Sequence, residues 1–174
     1  QLAAMVEEVD KPAEILTHTP EDRSRDQWLR RITDDVGSRL AGVRDHLFRD
    51  LGTKRHHLVL DLNAGTGLLT WEALRRVPEG GVWSVCSNRS VAVALHELSA
   101  RLPEVEQPKI VQCELTALKD TLQAAEGELA FDVAVGRNAL GGLRAKRQVA
   151  ADLASLLATN GRIRLFEHIH RRAQ

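Results

Sequence analysis

The spacing of hydrophobic residues divides the chain into two regions near residue 55. Before that point, hydrophobic side chains recur every three or four positions, which is the period of one face of an α-helix. Thr19 and Pro20 suit an N-cap and a first helical turn, and Gly52 follows the pattern. We therefore predict one long helix over residues 20–51. Its hydrophobic stripe consists of Trp28, Ile32, Val36, Leu40, Val43, Leu47 and Leu51.

After residue 55, short hydrophobic strands alternate with amphipathic helices. The predicted strands are HLVLDL, GVWSVCS, KIVQCE, FDVAVG and RIRLFEHI. The predicted helices between them are GLLTWEALRRV, SVAVALHELSARL, LKDTLQAAE and AKRQVAADLASLLA. Strict alternation implies right-handed crossovers and a mostly parallel sheet with helices on both faces. We expect a three-layer α/β domain whose five strands lie in the spatial order 3-2-1-4-5.

Domain organisation follows from this change of pattern. Residues 1–54 are interpreted as an N-terminal helical segment that packs on the sheet, and residues 55–174 as the α/β domain. A chain of 174 residues is long enough for one domain with a substantial core but short for two. Because the chain begins with Gln1 rather than Met, we interpret it as a processed chain or a piece of a longer one.

Charge and composition narrow the classes of partner and compartment. Lys plus Arg and Asp plus Glu both total 24, so no overall positive charge indicates nucleic acid or a membrane, although a local basic face is compatible with this balance. No apolar run approaches the roughly 20 residues that span a bilayer, and no signal-peptide pattern opens the chain. Cys86 and Cys113 have neither metal-site spacing nor the pattern of a disulfide framework. We therefore expect a cytoplasmic protein in which both cysteines are small apolar residues.

The segment DLNAGTGLLT leaves the first strand and carries the clearest chemical signal. Gly65 and Gly67 allow a sharp turn and close approach of a ligand, and the helix that follows directs its amide groups at the site. A nucleoside-triphosphate-binding loop would need Lys and Ser or Thr after its last glycine, where this chain has Leu68 and Leu69. A nicotinamide-binding fingerprint would need a third glycine at position 70, where this chain has Thr70. Neither pattern is therefore present. Asp61 adds a carboxylate at the strand end. An amino-acid moiety, with its ammonium and carboxylate groups, would satisfy this arrangement.

These residues resemble the first motif of the class I S-adenosylmethionine-dependent methyltransferases. That motif commonly reads Asp-Leu-Gly-x-Gly-x-Gly; here Asn63 replaces the first glycine. The resemblance covers about residues 55 to 170 and implies a Rossmann-like methyltransferase fold with S-adenosylmethionine as cofactor. It also implies that VQCELTAL supplies an acid near the adenine and that FDVAVGRNAL is the fourth motif. The cofactor-binding residues implied are Asp61, Asn63, Ala64, Gly65, Gly67, Asn88, Glu114 and Asn138.

Two positions depart from the family pattern. The second strand usually ends in an acid that holds both ribose hydroxyls, whereas this chain offers Ser87 and Asn88. An amide oxygen binds hydroxyls more weakly than a carboxylate, so we expect poor affinity for the cofactor, improved by Asn88→Asp. The fourth motif also lacks the Asn-Pro-Pro-Tyr form of methyltransferases that act on base amino groups. The sequence therefore does not support an exocyclic amine as methyl acceptor.

Catalytic and metal-binding side chains are not apparent in the sequence. Methyl transfer asks the protein chiefly for alignment and a dry site, so little acid-base machinery is obligatory. Asn138 and His168 follow the fourth and fifth strands, but ordinary loop polarity explains them as well, and we assign no catalytic residue. His168 and His170 without a third ligand are weak grounds for a metal site. Trp71 and Trp83 are interpreted as core residues, with a base-stacking platform as the alternative.

A weaker resemblance connects the chain to a methyltransferase-like domain that some bacterial proteins carry behind a recombination-type AAA+ ATPase. The segments that carry it are HTPEDRSRDQWL, LDLNAGTGLLTWEALRRVPEGGVW and VGRNAL. Two hypotheses follow: an S-adenosylmethionine-binding methyltransferase with an unknown acceptor, or a non-catalytic Rossmann-like docking or oligomerisation module of a larger DNA-maintenance ATPase.

The sheet of the class I methyltransferases normally has two further strands. We therefore expect the fifth strand to be an exposed or partner-covered edge.

Overall fold

The computed structural model describes residues 20–35 and 38–168. The two N-terminal helices are α1 (Pro20–Asp35) and α2 (Ser38–Phe48). Strands and helices then alternate: β1 (Leu58–Asp61), α3 (Leu68–Arg76), β2 (Gly81–Cys86), α4 (Arg89–Ser99), β3 (Lys109–Gln112), α5 (Leu118–Glu126), β4 (Phe131–Arg137), α6 (Lys146–Ser155) and β5 (Leu157–Phe166).

The sheet confirms the predicted topology. Its strands lie in the order β3-β2-β1-β4-β5, and every neighbouring pair is parallel. The central strand β1 is nearly all buried because helices cover both of its faces, as the uninterrupted hydrophobic run of the sequence requires. All strands therefore end at the same edge of the sheet, and the loops that follow them meet there.

Two hydrophobic clusters fill the spaces above and below the sheet. Alternation along β1 sends Val59 to one cluster and Leu60 to the other. The first cluster joins the sheet to α1, α2, α3 and α4, and the second joins it to α5 and α6. Within the predicted stripe, Leu47 and Leu51 are buried and Trp28 is half-buried against the first cluster. The N-terminal stripe thus packs as predicted wherever its side chains are described.

The long N-terminal helix differs from its prediction at its carboxyl end. Helix α2 ends at Phe48 rather than at residue 51, and Asp50 and Gly52 have φ angles of +57° and +63°. Continuity between α1 and α2 depends on residues 36–37, which lie outside the described residues, as does Thr19. Arg162 and Arg164 of β5 donate to backbone carbonyls at residues 46–51. These guanidinium groups satisfy carbonyls that the helix end leaves without partners.

The last helix and strand have different boundaries from those predicted. The sequence predicts a helix to Ala158 and a strand from Arg162, whereas α6 ends at Ser155 and β5 begins at Leu157. Leu157 pairs with Phe131 and Arg162 pairs with Val133, so β5 accommodates extra residues through a bulge. A Cβ at Gly161 would lie 2.8 Å from the Phe131 carbonyl oxygen. Glycine therefore allows the bulged backbone to approach β4 closely.

Strand β5 is an edge of the sheet among the described residues, as predicted. Ile163 and Phe166 are 38% and 36% exposed, which is high for large hydrophobic side chains in a strand. Whether a partner covers this edge stays a prediction. No helix in the described ranges is long and apolar enough to cross a membrane.

Candidate functional site

Two adjoining cavities lie at the carboxyl edge of the sheet, where ligands bind in open α/β sheets. The first, of about 200 Å³, is lined by residues of the glycine loop and the start of α3. The second, of about 190 Å³, is lined by the ends of β2 and β3 and by the loop after β4. Asn63 and Asn138 line both cavities, so the two spaces adjoin at these side chains.

The glycine loop is fixed to the sheet by its backbone. The Ala64 N–H donates to the Val85 carbonyl at 2.8 Å, and the Gly67 N–H donates to the Ala64 carbonyl at 2.6 Å. Gly67 is the N-cap of α3, and no side chain caps the helix there. Of the first-turn amides of α3, the Thr70 N–H bonds to Asp61, so the amides that a bound anion can reach are those of Leu68 and Leu69, which line the first cavity. That this turn accepts an anion stays a prediction.

Gly65 and Gly67 are required for different reasons, although both have positive φ angles of +50° and +84°. A Cβ at Gly67 would lie 2.3 Å from Nε1 of Trp71, a fully buried side chain. Gly67 is thus needed by the core beneath the loop. A Cβ at Gly65 would meet only the Asn63 carbonyl oxygen, at 3.8 Å. Gly65 therefore faces open space and leaves room for a ligand.

Asp61 is buried beneath the loop and lines neither cavity. Its Oδ2 accepts a hydrogen bond from the Thr70 hydroxyl at 2.8 Å, and its Oδ1 accepts one from the Asn63 N–H at 3.2 Å. Thr70 also lies 2.8 Å from the Ser84 hydroxyl, which donates to Thr70 when Thr70 donates to the carboxylate. Burial raises the pKa of Asp61 to about 6, and its hydrogen bonds oppose part of this shift. In this geometry Asp61 holds the loop to β2 and α3; direct binding of a ligand ammonium stays a prediction.

Asn63 and Asn138 connect the loops after β1, β4 and β5. Asn63 Nδ2 donates to the carbonyls of Arg137 and Asn138 at 3.0 and 3.3 Å. Asn138 has a φ of +51°, and its side-chain oxygen accepts from the His168 N–H at 2.9 Å. Asparagine tolerates the left-handed region better than most residues. The residue that replaces the first glycine of the motif therefore lies between the two cavities and joins their walls.

The second cavity combines apolar side chains with polar groups, and polar atoms make up most of its exposed lining. Leu62, Val85, Leu115, Ala139 and Leu143 supply the apolar part of its lining. The polar part includes Cys86, Ser87, Cys113 and Glu114. The Glu114 carboxylate is exposed and has no hydrogen-bond or ion-pair partner among the described residues. Such a cavity suits a flat ring that carries hydrogen-bonding groups on its edge.

At the end of β2, the residue that lines the cavity is not the one that the sequence indicated. Asn88 lines neither cavity; its side-chain oxygen accepts from the Ser90 N–H and hydroxyl at 2.8 and 2.7 Å and caps α4. Cys86, the last residue of β2, is 4% exposed and lines the second cavity. The cap signal at Asn88 was available in the sequence, because Asn is a common N-cap and a helix follows. Cys86 and Ser87, rather than Asn88, are therefore the residues at the end of β2 that line this cavity.

Glu167 has an organising role that the sequence analysis did not detect. Its Oε1 accepts from the N–H groups of Ala139 and Leu140 at 2.8 and 3.0 Å. This carboxylate joins the start of the loop after β4 to the end of β5, and that loop lines the second cavity. No local sequence pattern signals this contact, because Ala139 and Leu140 lie 28 and 27 residues before Glu167 in the chain.

The remaining candidates have packing roles or give no site. Trp71 and Trp83 are 0% and 6% exposed, which confirms the core interpretation and excludes an accessible stacking platform at either residue. The thiols Cys86 and Cys113 are free, and burial raises the pKa of both. Within residues 20–35 and 38–168 no group of three His, Cys, Asp or Glu side chains could hold a metal ion. His170 lies outside these ranges.

Comparison with solved structures gives several similar folds. Coclaurine N-methyltransferase, bound to N-methylheliamine and SAH, matches with a TM-score of 0.61 and 16% identity over 80% of this chain and 42% of its own. A mycolic acid cyclopropane synthase complexed with SAH matches with 0.60 and 15%, over 80% and 52%. A precorrin 8w decarboxylase from Methanobacterium thermoautotrophicum matches with 0.57 and 18%, over 71% and 61%.

These likenesses define the class of fold. The chain has the Rossmann-like fold of the S-adenosylmethionine-dependent methyltransferases, with a five-stranded parallel sheet in the order 3-2-1-4-5. It spans 42% to 61% of the lengths of these three proteins. No protein-family model matches the chain, and no curated protein matches it significantly. Since one neighbour is named a decarboxylase, the fold alone does not determine the reaction.

Proposed function

We propose that this chain is an S-adenosylmethionine-binding, methyltransferase-type domain. The observation that carries the proposal is the open space over Gly65, beside the Leu68 and Leu69 amides of α3 and next to a cavity that contains an unpartnered Glu114. A bound S-adenosylmethionine would supply an electrophilic methyl group on a sulfonium sulfur. The names of two similar structures include SAH, the product of such a transfer, as the bound molecule.

The two halves of the cofactor correspond to the two cavities. The α3 amides suit a carboxylate, because unsatisfied N–H groups and the helix dipole both favour a negative charge. The apolar side chains in the lining of the second cavity suit the faces of an adenine ring, and the Glu114 carboxylate suits the exocyclic amino group of that ring. Asn63 and Asn138 lie between the two parts of the site and would meet the central atoms of the ligand.

The end of β2 limits how strongly this site holds a ribose. Cys86 and Ser87 line the cavity, and neither supplies a carboxylate to accept bonds from the two ribose hydroxyls. A hydrogen bond to a charged group contributes about 1.5–3 kcal/mol, roughly twice the value for a neutral acceptor. We therefore expect wild type to bind S-adenosylmethionine and SAH measurably but weakly.

Titration with SAH tests the proposal directly. Isothermal titration calorimetry on the 174-residue chain should give a saturable one-to-one isotherm. Adenosine alone should bind more weakly, because it leaves the α3 amides unoccupied. Methionine alone should also bind more weakly, because it leaves the second cavity empty. Absence of heat and of thermal stabilisation at millimolar SAH, with the fold intact by circular dichroism, would contradict the proposal.

Replacing Cys86 by Asp should tighten SAH binding by about 5- to 30-fold, which corresponds to a gain of one to two kcal/mol. The new carboxylate would lie in the cavity and accept the ribose hydroxyls. It should also lower the melting temperature of the unliganded protein, because a second buried carboxylate near Asp61 is costly. Calorimetry and thermal melts measure the two effects.

Asn88→Asp is the matched control because it adds the same charge two residues away. Asn88 caps α4 outside both cavities, and Asp is an equally good N-cap. Affinity and melting temperature should therefore stay close to wild type. If Asn88→Asp tightens binding and Cys86→Asp does not, the ribose lies on the Asn88 side, as the sequence alone suggested.

A non-catalytic module is the second candidate function. The observation that favours it is the neutral end of β2 together with the absence, in the described part of the site, of an assigned catalytic base. In this alternative the domain docks or oligomerises, and a fused or neighbouring AAA+ ATPase would be its partner. Lack of SAH binding by both wild type and Cys86→Asp would favour the alternative, since the restored acid would then have no ribose to bind.

A further inference from the structure

A separate cavity of about 470 Å³ lies at the opposite edge of the sheet, where the strands begin. It is built from the segment between α2 and β1, from the start of β4 and from the bulge of β5. None of its lining residues belongs to the site at the carboxyl edge. Its lining consists of Leu51, Gly52, Lys54, His56, His57, Asp132, Asn160 and Arg162.

Hydrogen-bond donors and positive charges dominate this lining. Lys54 is exposed, and its ammonium has no carboxylate partner among the described residues. Arg162 is fixed in place, because its Nη1 donates to the Asp50 and Leu51 carbonyls at 3.2 and 3.4 Å. Its other guanidinium nitrogens have no partner in the described part of the chain. Two permanent cations therefore border one space from two different elements.

The histidines and the single acid of the lining reinforce this character. His57 Nδ1 accepts the Lys54 backbone N–H at 3.2 Å, so the neutral ring carries its hydrogen on Nε2, which is a donor. His56 lies beside it, with the two ring centroids 5.3 Å apart. Asp132 is the only carboxylate in the lining, and its Oδ2 already accepts the Leu58 N–H at 2.8 Å. The cavity thus offers several donors against one partly satisfied acceptor.

We propose that this cavity is a binding site for a phosphate group, held by Lys54 and Arg162 with His56 and His57 as further donors. A phosphate presents several acceptor oxygens and a negative charge, which match the guanidinium and ammonium donors. The zero net charge of the whole chain conceals this local concentration of positive charge. The phosphate group belongs either to a small phosphorylated compound or to a phosphodiester backbone. Both present negatively charged phosphate oxygens, which are what the cavity recognises.

The test is a titration of the ¹⁵N-labelled 174-residue chain with pyrophosphate at constant ionic strength. We expect saturable amide shifts at residues 52–57 and 160–162, and none with an equal ionic strength of chloride. Lys54→Glu should weaken binding about tenfold or more, because it replaces an attractive charge by a repulsive one. His56→Gln, which keeps the charge of the neutral ring but changes its donors, should weaken binding less.

Lys146→Glu is the matched control. Lys146 is also exposed and without a partner among the described residues, but it begins α6 at the carboxyl edge of the sheet. The Lys146→Glu protein should show the same pyrophosphate-induced amide shifts at residues 52–57 as wild type. Shifts that fail to saturate, or equal affinity of Lys54→Glu and wild type, would overturn the proposal.

A second titration with a short oligothymidylate identifies the source of the phosphate. Tighter binding of the oligonucleotide at the same residues indicates a phosphodiester backbone. Tighter binding of pyrophosphate indicates a small phosphorylated compound. Because the cavity lies away from the glycine loop, SAH binding should be unaffected by Lys54→Glu, so this proposal and the proposed function can fail independently.

Discussion

Gly67→Ala is expected to destabilise the domain by about 2–5 kcal/mol. A non-glycine residue at φ +84° costs about 1–2 kcal/mol. Overpacking adds about 1–3 kcal/mol, because the new Cβ would lie 2.3 Å from Trp71 Nε1 and that side chain is fully buried. For a domain of this size the melting temperature should fall by roughly 5–15 °C. Chemical and thermal denaturation followed by circular dichroism measure the loss.

Gly65→Asn tests whether glycine is needed at this position for ligand binding rather than for packing of the core. Asparagine tolerates the φ of +50° at this position, and its side chain would extend into open space rather than into the core. We expect a stability change of about 1 kcal/mol or less together with loss of SAH binding. A Gly65→Asn protein that binds SAH like wild type would mean that no ligand approaches the loop there.

A Gly67→Ala protein as stable as wild type would mean that Trp71 can move aside.

The fold was predictable because its signals are local and repeated. Each strand is a short hydrophobic run, each helix has its own period, and strict alternation leaves few topologies for a parallel sheet. The errors lie where backbone pairing rather than side-chain pattern decides. Leu157 joins β5 because it pairs with Phe131, although Asn160 and Gly161 read as a turn in the sequence. Phe48 ends α2 because the chain turns at Asp50 and Gly52 with positive φ.

The candidate site was predictable as a location but not as a set of contacts. Strand ends in a parallel sheet meet at one edge, so the sequence indicated which loops converge. It did not indicate which way each side chain points. Asn88 caps a helix while Cys86 lines the cavity, and Asp61 is buried under the loop that it was expected to accompany. Glu167 escaped notice because its bonds connect segments that are distant in sequence.

The stability of the wild-type protein should fall by about 3 kcal/mol, relative to Asp61→Asn, between pH 3 and pH 7. Burial raises the pKa of Asp61 from 3.8 to about 6 in the folded protein. The folded state therefore binds this proton more tightly than the unfolded state, and the advantage is lost as pH rises through about 6. Each pKa unit corresponds to 1.36 kcal/mol, which gives the expected size. Urea denaturation of both proteins at several pH values measures the difference.

The comparison isolates Asp61 because all other titrating groups occur in both proteins. Asparagine keeps an oxygen that can accept from the Asn63 N–H, and its amide group can donate to the Thr70 hydroxyl, which can in turn donate to Ser84, so the loop should retain its shape. Thr70→Val supplies a second check with a defined sign. The Thr70 hydroxyl bond lowers the pKa of Asp61, so its removal should raise that pKa further and extend the loss of stability to higher pH. Parallel pH profiles for wild type and Asp61→Asn would mean instead that water reaches the carboxylate, and that the loop above it is open enough to let it in.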